Sequence, residues 1–373
     1  MTGPDLEGGE GGEGRGPAEG EGAQGNAGTF HGLGAAQALA AVEGAYGLAL
    51  DGTLTEYASY VNRVYGVRDD DGREYVAKFY RPGRWELAAL EDEHRLVADC
   101  VAAELPVVAP LPAASGATVS EVVVGTDLEG AGGPVADAGA NLAAAPPAAQ
   151  RIRFACYPKR AGRTFDGDGD DDWLRIGSLI GRIHAAVRGV SAESRLVCTP
   201  EASTALFLGH LREAGVVPGA VASEFFAVAE EAVALLSPLF EGAAHIRLHG
   251  DCHRGNILDR VGEGLLLIDF DDMMQGPAVQ DLWLVLPGRL AECRRELNLV
   301  LDGYQQFSDF DYAELQLVEP LRLMRMVYFL AWSALQREDP RFRVANPHWG
   351  SEAFWLQEIE DLRTQLNVAT HVE

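Results

Sequence analysis

The hydrophobic pattern of this chain changes period near Pro158, and that change limits what it can fold into. Ahead of this point apolar residues sit in short runs bounded by Gly, Pro and Asp, as in "REYVAKFY", "ATVSEVVV" and "RIRFACYP". Beyond it they recur every three or four positions, with Trp173, Ile176, Leu179, Ile180, Ile183 and Val187 on one face. Short β-rich runs between turn residues mean strands, and a period near 3.6 means amphipathic helices. A chain that keeps the two in separate blocks is α+β, with a small β-rich N-lobe and a larger helical C-lobe. "YASYVNRVYGV" and "REYVAKFY", joined by "DDDG", predict a hairpin. Leu87, Leu90, His94, Val97 and Val101 predict a helix over 84–104 with that face on the sheet, ended by Pro106. Further helices are expected near 35–48 and at 221–240, 278–306, 312–338 and 351–366. Strand-like runs return only between His245 and Asp271, in "AHIRLHG", "NILD" and "LLLIDF".

At 373 residues and 47% hydrophobic content the chain can bury one large or two medium cores. Residues 1–29 are Gly and Glu with almost no apolar side chain, so burial cannot offset the entropy of ordering them, and a disordered tail is expected. Residues 30–157 form the expected N-lobe, with an Ala/Gly/Pro-rich flexible insertion at 125–150. Residues 158–373 form the expected C-lobe, carrying the catalytic loop and a metal site. A net charge of −26 opposes binding to nucleic acid or anionic lipid, because both carry the same sign. There is no run of eighteen apolar residues and no basic start followed by an apolar block, so a cytoplasmic protein is expected; a monomer is expected as well. Five scattered cysteines without a CxxC pair argue against both a disulfide framework and a structural zinc site. Lys78 and Lys159 are the only lysines, which makes a lysine at a key position hard to dismiss as chance.

The chemistry concentrates in "LHGDCHRGN", Leu248 to Asn256. His249, Asp251 and Asn256 stand in the register H-x-D-x-x-x-x-N, and Asp269 follows thirteen residues later at the end of the apolar strand "LLLI". In kinase-type sites one carboxylate faces the acceptor hydroxyl, while an amide oxygen and a second carboxylate hold magnesium on the nucleotide phosphates. Cys252 and His253 are not needed as ligands, and no distant Cys or His pair completes a zinc cage. Lys78 in "EYVAKFY" matches the strand lysine that contacts the α and β phosphates, and its ion-pair partner is expected to be Glu93, with Glu91 as fallback. No G-x-G-x-x-G lies between the first two strands; "ASYVNRV" either offers Ser59 and backbone N–H groups to phosphate or is a plain polar turn. "DGDGDDD" fails the calcium-loop template at its sixth and twelfth positions and reads as the acidic start of a helix. His184 on that helix is expected to be a packed histidine.

"SYVNRVY", "KFYRPGRW", "RLHGDCHRGNIL", "IDFDD", "GPAVQDLW" and "EPLRLMRMVYFLAW" together resemble the RdoA-type stress response kinases, a serine/threonine protein kinase branch of the aminoglycoside phosphotransferase and choline kinase superfamily. The likeness runs from about Tyr57 to Trp355. It implies a bilobal protein-kinase-like fold with ATP in the cleft, Asp251 as proton acceptor, Asn256 and Asp269 as Mg2+ ligands, Ser59 at the nucleotide, and Lys78 and Glu93 as the phosphate-clamping pair. The implied function is ATP- and Mg-dependent phosphorylation of Ser/Thr in a protein substrate, in a cytosolic stress response. The alternatives are a small-molecule hydroxyl kinase of choline, homoserine or aminoglycoside type, whose cationic acceptor Asp271 and Asp272 could attract, and a non-catalytic nucleotide-binding scaffold. Only seven residues separate Asp269 from Pro277, which leaves no room for a phosphorylated activation loop.

Overall fold

The structure is a computed structural model that describes residues 30, 32–59, 61–125 and 149–371. The expected tail and nearly all of the expected 125–150 insertion lie outside the described residues. After helix α1 (Ala35–Tyr46) come strands β1 (Leu50–Tyr57), β2 (Arg63–Asp69) and β3 (Glu74–Phe79), helix α2 (Leu87–Ala102), and strands β4 (Ser120–Val124) and β5 (Gln150–Pro158). The five strands form one antiparallel sheet in the order β1-β2-β3-β5-β4. The expected hairpin is β2–β3, its turn closed by Gly72 at φ 79°. β1 escapes prediction because its exposure pattern does not alternate and it carries Gly52, which weakens a strand signal.

The helical region follows a two-residue strand β6 (Arg163–Thr164). It comprises α3 (Asp170–Val187), α4 (Ala205–Ala214) and α5 (Gly219–Leu236), then the short strands β7 (Ile246–Leu248), β8 (Ile257–Arg260), β9 (Gly264–Leu267) and β10 (Met274–Gly276). Helices α6 (Val279–Trp283), α7 (Arg294–Tyr304), α8 (Val318–Gln336), α9 (Pro340–Ala345) and α10 (Glu352–Thr370) complete it. All six residues expected on the inner face of α3 are buried. α3 and α7 cross backbone to backbone: a Cβ on Gly177 would lie 2.0 Å from the Val300 carbonyl oxygen, so only glycine fits there. The single helix expected over 278–306 is two, α6 and α7, because Pro287-Gly288 interrupts it.

α2 departs from expectation in a way that matters for the site. Leu90, His94 and Val97 are buried as predicted, but Leu87 and Val101 are exposed, while Asp92, Glu93, Leu96 and Cys100 are buried instead. The helix is covered from two sides. Leu90 packs with Tyr80 and Ala155 of the sheet, and Leu96, Val97 and Cys100 join the core around α3. No helix of the described residues is long and apolar enough to cross a membrane.

Candidate active site

Lys78 lies in the middle strand of the sheet, with Val64 on β2 and Ala155 on β5 as its cross-strand neighbours. A strand paired on both sides offers no solvent edge, and the side chain runs instead to the acidic segment after β9. There Nζ sits 2.6 Å from Asp269 Oδ1 and 3.5 Å from Asp271 Oδ1. Burial works against the ammonium charge, but Asp269 and Asp271 outweigh it and hold the lysine above its usual range.

The expected Lys78–Glu93 ion pair is therefore corrected. Glu93, buried on α2, takes Arg195, whose Nη2 donates to Oε2 at 2.9 Å, and the fallback Glu91 is exposed. Arg195 has enough donors to tie three elements at once. Nε donates to the Ala89 carbonyl, Nη1 donates to the Asp271 carbonyl, and the guanidinium lies over the Trp85 ring, 4.3 Å from its centroid. Glu93 stays in the field of the lysine: burial pushes its carboxyl up to about 7, with Lys78 and Arg195 offsetting only part of that.

The loop after β7 is shaped by one glycine and one carboxylate. Gly250 has φ +84°, and a Cβ there would come 2.0 Å from the Asp272 carbonyl oxygen, so the loop can lie against the acidic segment only with glycine. Asp281 at the start of α6 accepts from the backbone N–H of His249 at 2.7 Å and of Gly250 at 2.9 Å. His184, buried as expected, lies 3.0 Å from the same carboxylate and 3.0 Å from the Tyr304 hydroxyl. Burial raises the Asp281 carboxyl, but His184, His249 and the Gly250 N–H more than reverse that.

His249 in turn braces the residues that come after Gly250. The Asp251 N–H donates to its Nδ1 at 3.2 Å, which assigns the ring proton to Nε2, and Nε2 lies 2.9 Å from the Ile268 carbonyl oxygen. Asp251 is thereby fixed by its backbone, with its side chain free to be aimed. Its Oδ1 accepts from Arg325 Nη2 at 2.6 Å, and Oδ2 lies 3.5 Å from His253 Nε2. Burial raises this carboxyl, yet Arg325 and His253 reverse the effect and keep it well below the usual carboxylate range. Asn256 spends its Nδ2 on the Asp251 carbonyl at 2.9 Å, which leaves its amide oxygen as a free acceptor, and its own carbonyl accepts from the Ile268 N–H at 3.0 Å. Asp269 follows at φ 63°, a left-handed conformation that costs a non-glycine residue on the order of 1 kcal/mol and clusters at functional sites.

The acidic segment also binds the sheet lobe. Asp271 accepts from Asn62 Nδ2 at 3.0 Å and from Arg84; Asp272 accepts from Arg84 Nη2 at 2.6 Å and from the Tyr328 hydroxyl at 3.1 Å. Burial raises the carboxyl of Asp271, but Arg84 and Lys78 bring it below the usual range. Burial of Asp272 wins over Arg84, with Asp251 and Asp271 adding to the rise.

Lys78 meets Asp269 directly, Asn256 meets Asp251, and the two pairs are joined through the Asn256 carbonyl, which accepts from the N–H of Ile268 beside Asp269. Ser59 is half-buried in the turn between β1 and β2, three residues before Asn62, and Glu93 reaches the cluster through Arg195. Asn62, Arg84, Arg195, Asp281 and Arg325 were not expected from spacing. Four of them lie in or near stretches visible only as resembling segments. The oxygens of Asn256 and Asp269 suit a hard divalent cation. Among the described residues no three His, Cys, Asp or Glu side chains form a metal cage on their own. Cys252 is fully buried in the core, turned away from any such role.

The strand lysine of the sheet lobe thus meets the D-F-D segment of the helical lobe, and that segment is tied to the D-x-x-x-x-N loop through the Ile268 N–H and the Asn256 carbonyl. The chain belongs to the phosphotransferase enzyme family, whose sequence profile matches residues 53–318. It is 34% identical over 328 residues to stress response kinase A of Escherichia coli, covering 87% of this chain and 90% of that one. It is likewise 34% identical to serine/threonine protein kinase RdoA of Salmonella typhimurium, covering 86% and 89%. The solved structure of amicoumacin kinase hAmiN in complex with AMP-PNP, Ca2+ and Ami shares the fold at 17% identity, with a TM-score of 0.64 over 87% of this chain and 92% of that one. The resemblance drawn from the sequence motifs holds, and the protein is a kinase-type phosphotransferase.

Proposed function

We propose that the protein transfers the γ-phosphoryl group of ATP, with Mg2+, to serine or threonine hydroxyls of a protein substrate, in a cytosolic stress response. The observation that carries this is the pairing of a carboxylate and an amide in one loop: Asp251 ionised and held through one oxygen, and Asn256 turned so that its own oxygen is free. In the proposed reaction Asp251 takes the proton of the acceptor hydroxyl as its oxygen bonds to the γ phosphorus. The bond from that phosphorus to the β–γ bridging oxygen breaks, and ADP leaves with the electron pair. Lys78 would shift from Asp269 toward the α and β phosphates, and Ser59 would contribute a hydroxyl from the turn above. Mg2+, held by Asn256 and Asp269, would supply charge neutralisation on the phosphates.

The protein-acceptor reading draws support from the names of the two relatives and from the fate of Asp271 and Asp272. Both are bound by Arg84, with Lys78, Asn62 and Tyr328 adding to it, so they do not present free negative charge to a cationic small acceptor. The segment between Asp269 and Pro277, "FDDMMQG", has no hydroxyl side chain, which supports activity without activation-loop phosphorylation. Labelled ATP offered with separate panels of proteins and hydroxylated metabolites tests the proposal: label on Ser or Thr of a protein is expected, and label confined to a small molecule would overturn the protein-kinase reading.

A further inference from the structure

Helix α8 reaches the catalytic loop through one side chain that no motif spacing indicated. Arg325 donates from Nη2 to Asp251 Oδ1 at 2.6 Å across 74 residues of sequence. The helix that carries it is anchored by Leu321, Met324 and Val327, each no more than 5% exposed, so the arginine stem starts from a rigid base. One turn on, the Tyr328 ring lies under the guanidinium, 5.4 Å from centroid to carbon, and its hydroxyl donates to Asp272 at 3.1 Å. Asp251 Oδ2, by contrast, has only long contacts, 3.5 Å to His253 Nε2 and 3.5 Å to Asn256 Nδ2. The two oxygens of this carboxylate are therefore unequal: one is fixed, the other is available.

We propose that Arg325 is a positioning residue of phosphoryl transfer, which holds Asp251 by Oδ1 so that Oδ2 faces the acceptor hydroxyl. This rests on the reading of Asp251 as proton acceptor. A carboxylate bound on one side by a planar guanidinium keeps its rotation about the Cβ–Cγ bond restricted, and misplacing a catalytic group by even an ångström is costly in rate. Arg325 touches neither nucleotide pocket lysine nor the Asn256–Asp269 oxygens, so its removal should leave ATP affinity alone.

The test compares Arg325→Gln, which keeps the stem and drops the charge, with Arg325→Lys, in full-length protein. Transfer from Mg-ATP to water and to dephosphorylated casein is measured alongside KM for ATP. The expected result is a kcat lowered about 100-fold in Arg325→Gln and about tenfold in Arg325→Lys, at unchanged KM for ATP. Wild-type kcat in Arg325→Gln, or equal loss in both variants together with a raised KM, would overturn the proposal. Should Arg325→Gln fail to fold, Arg325→Lys decides: a lowered kcat at unchanged KM carries the proposal, and a wild-type kcat ends it. Asp251→Asn run in parallel separates the two readings. If it keeps full transfer, the assignment of the base is wrong and this proposal falls with it; if it is inactive while Arg325→Gln is fully active, the base stands and only the positioning role is lost. A wild-type enzyme silent on both acceptors would sink the phosphotransfer reading itself.

Discussion

The catalytic loop and the acidic segment "IDFDD" lie against each other, yet they are held by different means. The loop is built almost wholly by its own lobe: Asp281, His184 and His249 fix its backbone, and Arg325 of α8 aims Asp251. The acidic segment is held largely by the other lobe, through Lys78, Asn62 and Arg84. The loop's geometry is thus a property of the helical lobe's packing, whereas that of Asp269, Asp271 and Asp272 depends on how the two lobes dock. In the proposed reaction that division keeps the group assigned to the acceptor within one lobe, while the groups assigned to the nucleotide depend on both.

Substitutions at the loop should break this comparison most sharply. Asp251→Ala should lower transfer roughly 1,000-fold while ATP binding, followed by isothermal titration, is retained. Wild-type turnover in that variant would remove Asp251 from the chemistry. Next in size, Asp281→Ala strands the N–H groups of His249 and Gly250 and the buried His184 together, and should destabilise the protein by about 3 kcal/mol in urea unfolding. A loss below about 1 kcal/mol would mean that the loop is not braced as described.

The interlobe side is tested through pH. Glu93 is held near 7 in the folded protein against an ordinary 4.5, so the native state binds the proton more tightly. Its contribution is fully present below about pH 4.5 and is lost as pH rises through 7. Wild-type protein should therefore lose stability relative to Glu93→Gln, on the order of 1 kcal/mol, between about pH 5 and 7.5. A difference independent of pH would show that Glu93 stays ionised beside Arg195 throughout. The smallest effect is expected where the lobes meet at the surface. Arg341 donates to both oxygens of Glu56 at 3.2 and 3.0 Å, but the pair is 54% and 35% exposed, so Arg341→Ala should cost only about 0.5 kcal/mol, less at high salt.

Much of this was legible because it is local. The face of α3 from Trp173 to Val187 follows from spacing alone, as do the β2–β3 hairpin and the acidic start of α3. Where expectation and structure part, a second surface or a breaker explains it. α2 is covered by both lobes, so its buried face is wider than one apolar stripe, and Glu93 turns to Arg195, a residue 102 positions away. The helix expected across 278–306 yields to Pro287-Gly288. In the site, Asp251, Asn256 and Asp269 could be named because they fall within a short span whose loop and strand are themselves predictable.

By itself the sequence determined the α+β division, the family and the residue types at the centre of the site, since each depends on periodicity or on spacing within one loop. The tertiary structure alone decided which charges meet: Lys78 with Asp269 across 191 residues, Arg84 with Asp272 across 188, Arg325 with Asp251 across 74. Spacing constrains only residues that share an element. Long cationic side chains reach whatever carboxylate the docking of lobes and helices brings within a few ångströms, and no local pattern records that choice.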